Sequence, residues 1–235
     1  MTKLLFIGFS LGAVSLGATQ GLVSLYTFND TLAKSYDRDG FAQSLDFRAG
    51  RATSSSIAAS FSTATVGSVT KQVANFSDPA SAEQFFRATH GMGPNGGSAE
   101  YVNQYTILMD VKITSAGDWV SIFNTNATNS HDGDLFIRNT DSKLGISGSY
   151  AGFFTRNEWN RLAVTVDSTA GVLQMKSYVN GVLQQTNAMD SLDGRWALYS
   201  TATATKTVDI FGDNDGDSGA GQISQLAFYD KTLTA

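Results

Sequence analysis

The sequence predicts an all-β protein built as two antiparallel sheets packed face to face, and three observations carry that prediction. Short apolar runs alternate with turn residues along most of the 235 residues, which include 23 Gly and only 2 Pro. No amphipathic helical pattern separates these runs, so parallel strand-helix-strand units have no crossover to use. The Asn180-Gly181 pair between two of the runs is the strongest hairpin signal in the chain.

The elements follow in order. Lys3, an apolar stretch from Leu4 to Leu16, and the small residues Ser15, Gly17 and Ala18 resemble a secretory signal peptide. Residues 1–18 are therefore expected to be removed, leaving one domain over 19–235 in a secreted, extracellular setting. The alternative is a buried first strand. The apolar stretch is short for a transmembrane helix, so stable membrane insertion is not expected. A strand is predicted over 21–28. Residues 41–77 are rich in Ala, Ser and Thr, with isolated Ile57, Phe61, Val66, Val69, Val73 and Phe76, and read as loops and short strands. Residues 78–86 could open a helical turn at Asp78-Pro79 or run as a strand through Phe85 and Arg87. Tyr105, Ile107, Met109, Val111 and Ile113 alternate with Thr106, Asp110 and Lys112 as a half-buried strand. Further strands are predicted at 119–123, 134–138, 143–148, 159–166, 172–179, 182–185, 207–211 and 223–229.

Composition excludes several functions. The net charge is -5 and no Lys/Arg cluster stands beside aromatic residues, so nucleic acid is not an expected partner. Cysteine is absent, which removes disulfides, thiolate nucleophiles and thiolate metal sites.

From Phe85 onward the chain carries FRATHGMGPNGGSAEYVNQYTILMDV, HDGDLFIRN, GISGSYAG, EWNRLAVTVD, YVNGVLQQT, LDGRWALYS and FGDNDGDSGAGQISQLAFYDKTLT. In this order they resemble the laminin G-like jelly-roll modules of secreted bacterial proteins, within the concanavalin A-like lectin and glucanase superfamily. The resemblance implies a two-sheet antiparallel jelly-roll sandwich. In such modules FYDKTLT is followed by a further polar helix start, so a longer parent protein is expected. The superfamily's activities are diverse, so function must be argued from residues.

A retaining glycosidase needs two carboxyl groups about 5 Å apart. Glu83, Glu100 and Glu158 have no acid two residues away on a strand, and His90 and His131 come without a nucleophile motif. Binding is expected rather than catalysis. Asp132 and Asp134 flank Gly133 at a loop end, and Asp213, Asp215 and Asp217 alternate in GDNDGDSG. Alternate loop residues can turn their oxygens onto one calcium ion. Solvated turns, in which Asp and Asn bond their own backbone, are the other reading. Tyr150, Phe153 and Phe154 share a short Gly-containing loop and are the ligand candidates, while Trp119 and Trp159 read as packing. If the strands form a meander, both acidic loops and SYAGFFT lie at one end. The expected function is an extracellular recognition module that binds glycan or protein through rim loops with the help of calcium. An accessory domain packed on a neighbour and a glycan-cleaving enzyme are the alternatives.

Overall fold

The computed structural model describes residues 20–50, 54–77, 83–125, 132–169, 171–200, 207–213 and 216–234. In chain order the strands are β1 (Leu22–Tyr26), β2 (Tyr36–Asp37), β3 (Asp46–Ala49), β4 (Ser55–Ser56), β5 (Ser60–Val66), β6 (Val69–Phe76) and β7 (Gln84–Ala88). Then come β8 (Tyr101–Val102), β9 (Gln104–Ile113), β10 (Val120–Asn124), β11 (Asp134–Ile137), β12 (Leu144–Ile146) and β13 (Ser149–Ala151). The last are β14 (Asn160–Asp167), β15 (Gln174–Val179), β16 (Val182–Ala188), β17 (Leu198–Tyr199), β18 (Val208–Ile210) and β19 (Gly221–Tyr229). The described residues contain no helix.

Two sheets form the sandwich. The longer runs β16-β15-β14-β9-β19-β1-β2, with β6 also pairing β19 and β5 pairing β6. The shorter runs β13-β12-β11-β10-β18-β7-β3-β4, and β8 pairs with β17 apart from both. Every pairing between strands is antiparallel, as in a sandwich joined by hairpins and longer returns. Asn180 and Gly181, at φ 49° and 80°, link β15 to β16 with the paired positive dihedrals of a type I′ turn.

The core lies between the sheets. Tyr105, Ile107, Met109, Val111 and Ile113 of β9 face Val120, Ile122, Leu135, Ile137, Val208 and Ile210 of the opposite layer, all fully buried. Phe76 stacks on Phe211 with centroids 4.2 Å apart, and Phe86 meets both edge-on. The two-sided strand β9 departs from the half-buried reading. Leu108 joins Leu22, Ala163, Tyr178, Ala227 and Tyr229 in a second apolar cluster on the outer face of the longer sheet. The 41–77 region is also more regular than its sequence suggests. β5 and β6 form a seven-pair hairpin from Ser60↔Asn75 to Val66↔Val69, and its exposed Ser and Thr positions hide the period of the few apolar ones. Residues 78–82 lie outside the described residues, and the strand option holds from Gln84.

His90 ties β1 to the small sheet. Its Nδ1 accepts the Met92 N–H at 3.1 Å, so Nε2 carries the proton and donates to the Tyr199 carbonyl oxygen at 3.1 Å. Complete burial holds its pKa down at about 4, below the ordinary 6.5. The fold binds this proton less readily than the unfolded chain, so the stabilisation is full above pH 6.5 and is lost as pH falls towards 4. Between pH 6.5 and 5 the loss amounts to about 2 kcal/mol. Urea unfolding across that window should show it, and His90→Gln should flatten the slope.

Candidate functional site

The site begins with the register of β10 against its two neighbours. Asn124 stands opposite Asp134 of β11 on one side and Asp209 of β18 on the other. Its amide Nδ2 donates to Asp132 Oδ2 at 3.2 Å and to Asp213 Oδ1 at 3.0 Å, drawing the two acidic loops together. Asp132, Asp134 and Asp213 thereby each place one carboxylate oxygen within 4.8 Å of the others. Asp134 is 6% exposed, and its Oδ1 is buried with no hydrogen-bond partner. Its carboxyl is pushed up to about 9, first by burial and then by the charges of Asp213 and Asp132, with Arg195 acting in the opposite sense. A buried, unsatisfied oxygen among like charges is costly unless a cation or proton joins it.

The turn that carries the first two acids is pinned from below. Thr125 Oγ1 donates to the Arg195 carbonyl oxygen and accepts the Gly133 N–H, both at 2.7 Å, and Trp196 Nε1 donates to the Asp134 carbonyl oxygen at 3.2 Å. A Cβ on Gly133 would stand 2.5 Å from the Arg195 carbonyl oxygen and 2.6 Å from the Trp196 ring. Only glycine fits between the acids. The group does not include Asp217, whose carbonyl oxygen accepts the Ser121 N–H at 2.8 Å. Asp215 lies outside the described residues, as does His131.

An aromatic surface adjoins the acids on the outer face of the shorter sheet. Leu135 and Ile137 of β11 turn into the core, which sends Asp134 and Phe136 to the other side. Phe136 pairs with Gly145 of β12, and Gly145 with Tyr150 of β13, so a gap without side chain separates the two rings. Trp119 meets both edge-on, at 6.0 Å from Phe136 and 5.5 Å from Tyr150. The Arg138 guanidinium lies 4.9 Å from the Tyr150 ring centre. The Tyr150 hydroxyl pKa is raised, mainly by burial and further by Asp217 and Asp134, with Arg138 opposing, which places ring and acids within electrostatic reach.

The loop SYAGFFT does not stay together at that end. The chain reverses directly after the three-residue β12, so β13 runs back down the sheet and leaves Tyr150 at mid-face. Phe154 enters the core, fully buried, with its N–H donating to Ser142, and it drops out as a ligand residue. Phe153 is 56% exposed at the end of the sandwich away from the acids, its N–H donating to Gln184 Oε1 at 2.9 Å. Trp196 lies in the turn after Gly194 and is buried in the core.

A laminin G family model, described as the concanavalin A-like lectin/glucanases superfamily, matches residues 94–235. The chain belongs to this superfamily. A search of curated proteins finds no match to this superfamily member. Among solved structures, domain 4 of the GH43 extracellular arabinanase AbnA from Geobacillus stearothermophilus, in complex with arabinotriose, is 20% identical with a TM-score of 0.63. The alignment covers 91% of this chain and 94% of that domain. The binding domain of botulinum neurotoxin DC in complex with SialylT is 14% identical, with a TM-score of 0.54 over 91% of this chain and 48% of that one. A Trypanosoma rangeli sialidase in complex with 2,3-difluorosialic acid is 11% identical, with a TM-score of 0.54 over 91% of this chain and 31% of the enzyme. At these identities the likeness establishes the sandwich fold. Within it, sequence reasoning missed Asn124 and Thr125, whose only signal is their place at the end of a strand before an acidic loop.

Proposed function

We propose that this superfamily member is a secreted glycan-recognition module whose ligand lies against the outer face of the shorter sheet, with calcium held by Asp132, Asp134 and Asp213. The observation that carries the reading is the Asp134 carboxyl, nine-tenths buried with its Oδ1 unpartnered, grouped with two further carboxylates beside the Trp119, Phe136 and Tyr150 surface. Three hard oxygen donors, with no nitrogen or sulfur ligand grouped with them among the described residues, suit calcium or a similar hard cation. When bound, calcium supplies the positive charge that offsets the three carboxylates. Asn124 orients two of the acids, Gly133 gives the turn its closeness to Arg195, and Trp196 anchors the Asp134 backbone.

Half-exposed aromatic faces next to polar side chains favour sugar rings over an extended peptide, because a ring's apolar face stacks while its hydroxyls find oxygen and nitrogen partners. Support comes as well from the sugar-bound structures that share the fold. The apolar segment from Leu4 to Leu16, with small residues after it, supports export.

A glycan array probed with the protein, with and without chelator, tests the reading. Binding to a defined glycan class should fall about tenfold or more in Trp119→Ala or Tyr150→Ala, the scale of a lost central contact. Chelator should weaken it too. No turnover of the bound glycan is expected. Binding untouched by both substitutions would remove the aromatic face from the ligand site, and turnover lost in Asp134→Asn would make the acids an active site.

A further inference from the structure

The β5–β6 hairpin lies outside the residues shared with the laminin G family, and the glycan site makes no use of it. Two residues link its strands, so Val66 and Val69 close it as a hydrogen-bonded pair, and every second position follows: Ala64 with Lys71, Ser62 with Val73, Ser60 with Asn75. The N–H and C=O groups of Phe61, Thr63 and Thr65 therefore point to the opposite side of β5. Among the described residues that side pairs with no strand, and no other backbone group bonds to it. Edge strands of this length normally carry a charge, a proline or a cover. From Ser54 to Thr70 there is neither a charged residue nor a proline. The remaining edges are managed differently. β2 and β4 are two residues long and β13 three, while β16 is bulged and bonds to β13 through Gln185 and Asn187.

We propose that β5 is a self-association edge, at which two copies of this chain pair antiparallel about a two-fold axis through Thr63. The occupant is argued from the cross-strand neighbours that this register creates. Thr63 meets its own copy, Phe61 meets Thr65 of the second copy, and Ser62 meets Ala64. Threonine pairs and aromatic with β-branched pairs are among the favoured combinations in antiparallel sheets. No charge is brought against its like. The pairing joins the two longer sheets into one continuous sheet and supplies about six main-chain hydrogen bonds. An interface this narrow belongs to the weak class, so dissociation in the micromolar range is expected. A two-fold contact uses the same edge on both copies and closes, so it yields dimers and not fibres.

Sedimentation of the full chain over a wide concentration series reads the proposal directly. A monomer–dimer equilibrium is expected, weakened at least tenfold in Thr63→Lys, which sets two ammonium groups facing across the axis. Neither the Thr63 N–H nor its carbonyl is used within the hairpin, and its hydroxyl makes only an exposed 3.2 Å bond to Gln72 Oε1, so the melting temperature of that variant should stay close to that of the parent. The chain contains no cysteine, which permits a second measurement independent of affinity. Thr63→Cys should form a disulfide-linked dimer on mild oxidation, because paired Cα atoms lie about 5.5 Å apart. Thr65→Cys should not, since the two copies of that position stand roughly 13 Å apart along the strands. A parent chain that stays monomeric throughout, a dimer indifferent to Thr63→Lys, or equal cross-linking at the two cysteine positions would each overturn the proposal. So would a monomeric parent whose β5 edge captures an extended peptide of another protein.

Discussion

Calcium at about 100 times its Kd should stabilise the protein by roughly 2.7 kcal/mol and raise its melting temperature by about 5–10 °C, and chelator should reverse the gain. The expectation follows from the state of the acidic trio without an ion. Asp134 is buried beside two like charges with one oxygen unsatisfied, so in the absence of a cation it weakens the fold. The same substitution should then act with opposite signs in the two conditions. Without a cation the Asp134 carboxyl is held protonated, and Asp134→Asn keeps that shape without the proton uptake that folding otherwise demands, so without calcium it should melt at or above the parent. With calcium it should melt below the parent, because one ligand is gone. Differential scanning fluorimetry of both proteins, each with calcium and with chelator, gives four curves that decide the matter. Parent curves that coincide across calcium and chelator would leave the three acids as a solvated turn network and remove the metal from the proposed function.

Much of this arrangement is legible in the sequence, and the parts that are not have identifiable causes. Counting strand directions in a meander, with residues 187–206 returning without a full strand, predicts that both acidic loops share one end because 207–211 would run the same way as 119–123. The fold reaches it another way: β18 pairs antiparallel with β10, against the direction that the count gives it, and Asp213 meets Asn124 because the chain turns back after Phe211, whose φ is 66°. The same count fails for SYAGFFT, because the stretch read as one strand over 143–148 is a three-residue β12 followed by an immediate reversal into β13. A reversal one turn early moves Phe153 and Phe154 to the opposite end and leaves Tyr150 on the face. Asn124 was invisible for another reason. An asparagine at a strand end is ordinary in sequence, and its role comes from Asp132 and Asp213, eight and eighty-nine positions away, meeting its amide in space. The hairpin of β5 and β6 escaped notice because its exposed Ser and Thr positions carry no hydrophobic period.

Asp110→Ala should cost roughly 3–5 kcal/mol of stability, the largest loss expected from a single polar side chain of this protein. The sequence pattern sets Asp110 on the polar side of a half-buried strand, where such a change would be nearly neutral. The fold places it elsewhere. β9 is flanked by β14 and β19 in the longer sheet, and its outer face lies beside the second apolar cluster, so Asp110 is 2% exposed. Arg161, directly opposite on β14, meets it with both prongs, Nε to Oδ1 at 2.7 Å and Nη2 to Oδ2 at 2.8 Å. Two parallel charge-assisted bonds in a largely dry setting satisfy most of what the carboxylate needs. Removing the acid leaves the guanidinium, itself about one-fifth exposed, without its counter-charge. The partial exposure of Arg161 argues for the lower half of the range, since some water can replace the lost partner. Asp110→Leu combined with Arg161→Met should recover most of the loss, because a well-packed apolar pair needs no compensation. Glycan binding and the calcium response should survive in all these variants, since the pair sits on the sheet opposite the proposed site. Urea unfolding of the two single variants and the double variant measures the coupling. A near-zero cost for Asp110→Ala would mean that water reaches the outer face of β9 in solution, and that the second apolar cluster is far looser than its burial implies.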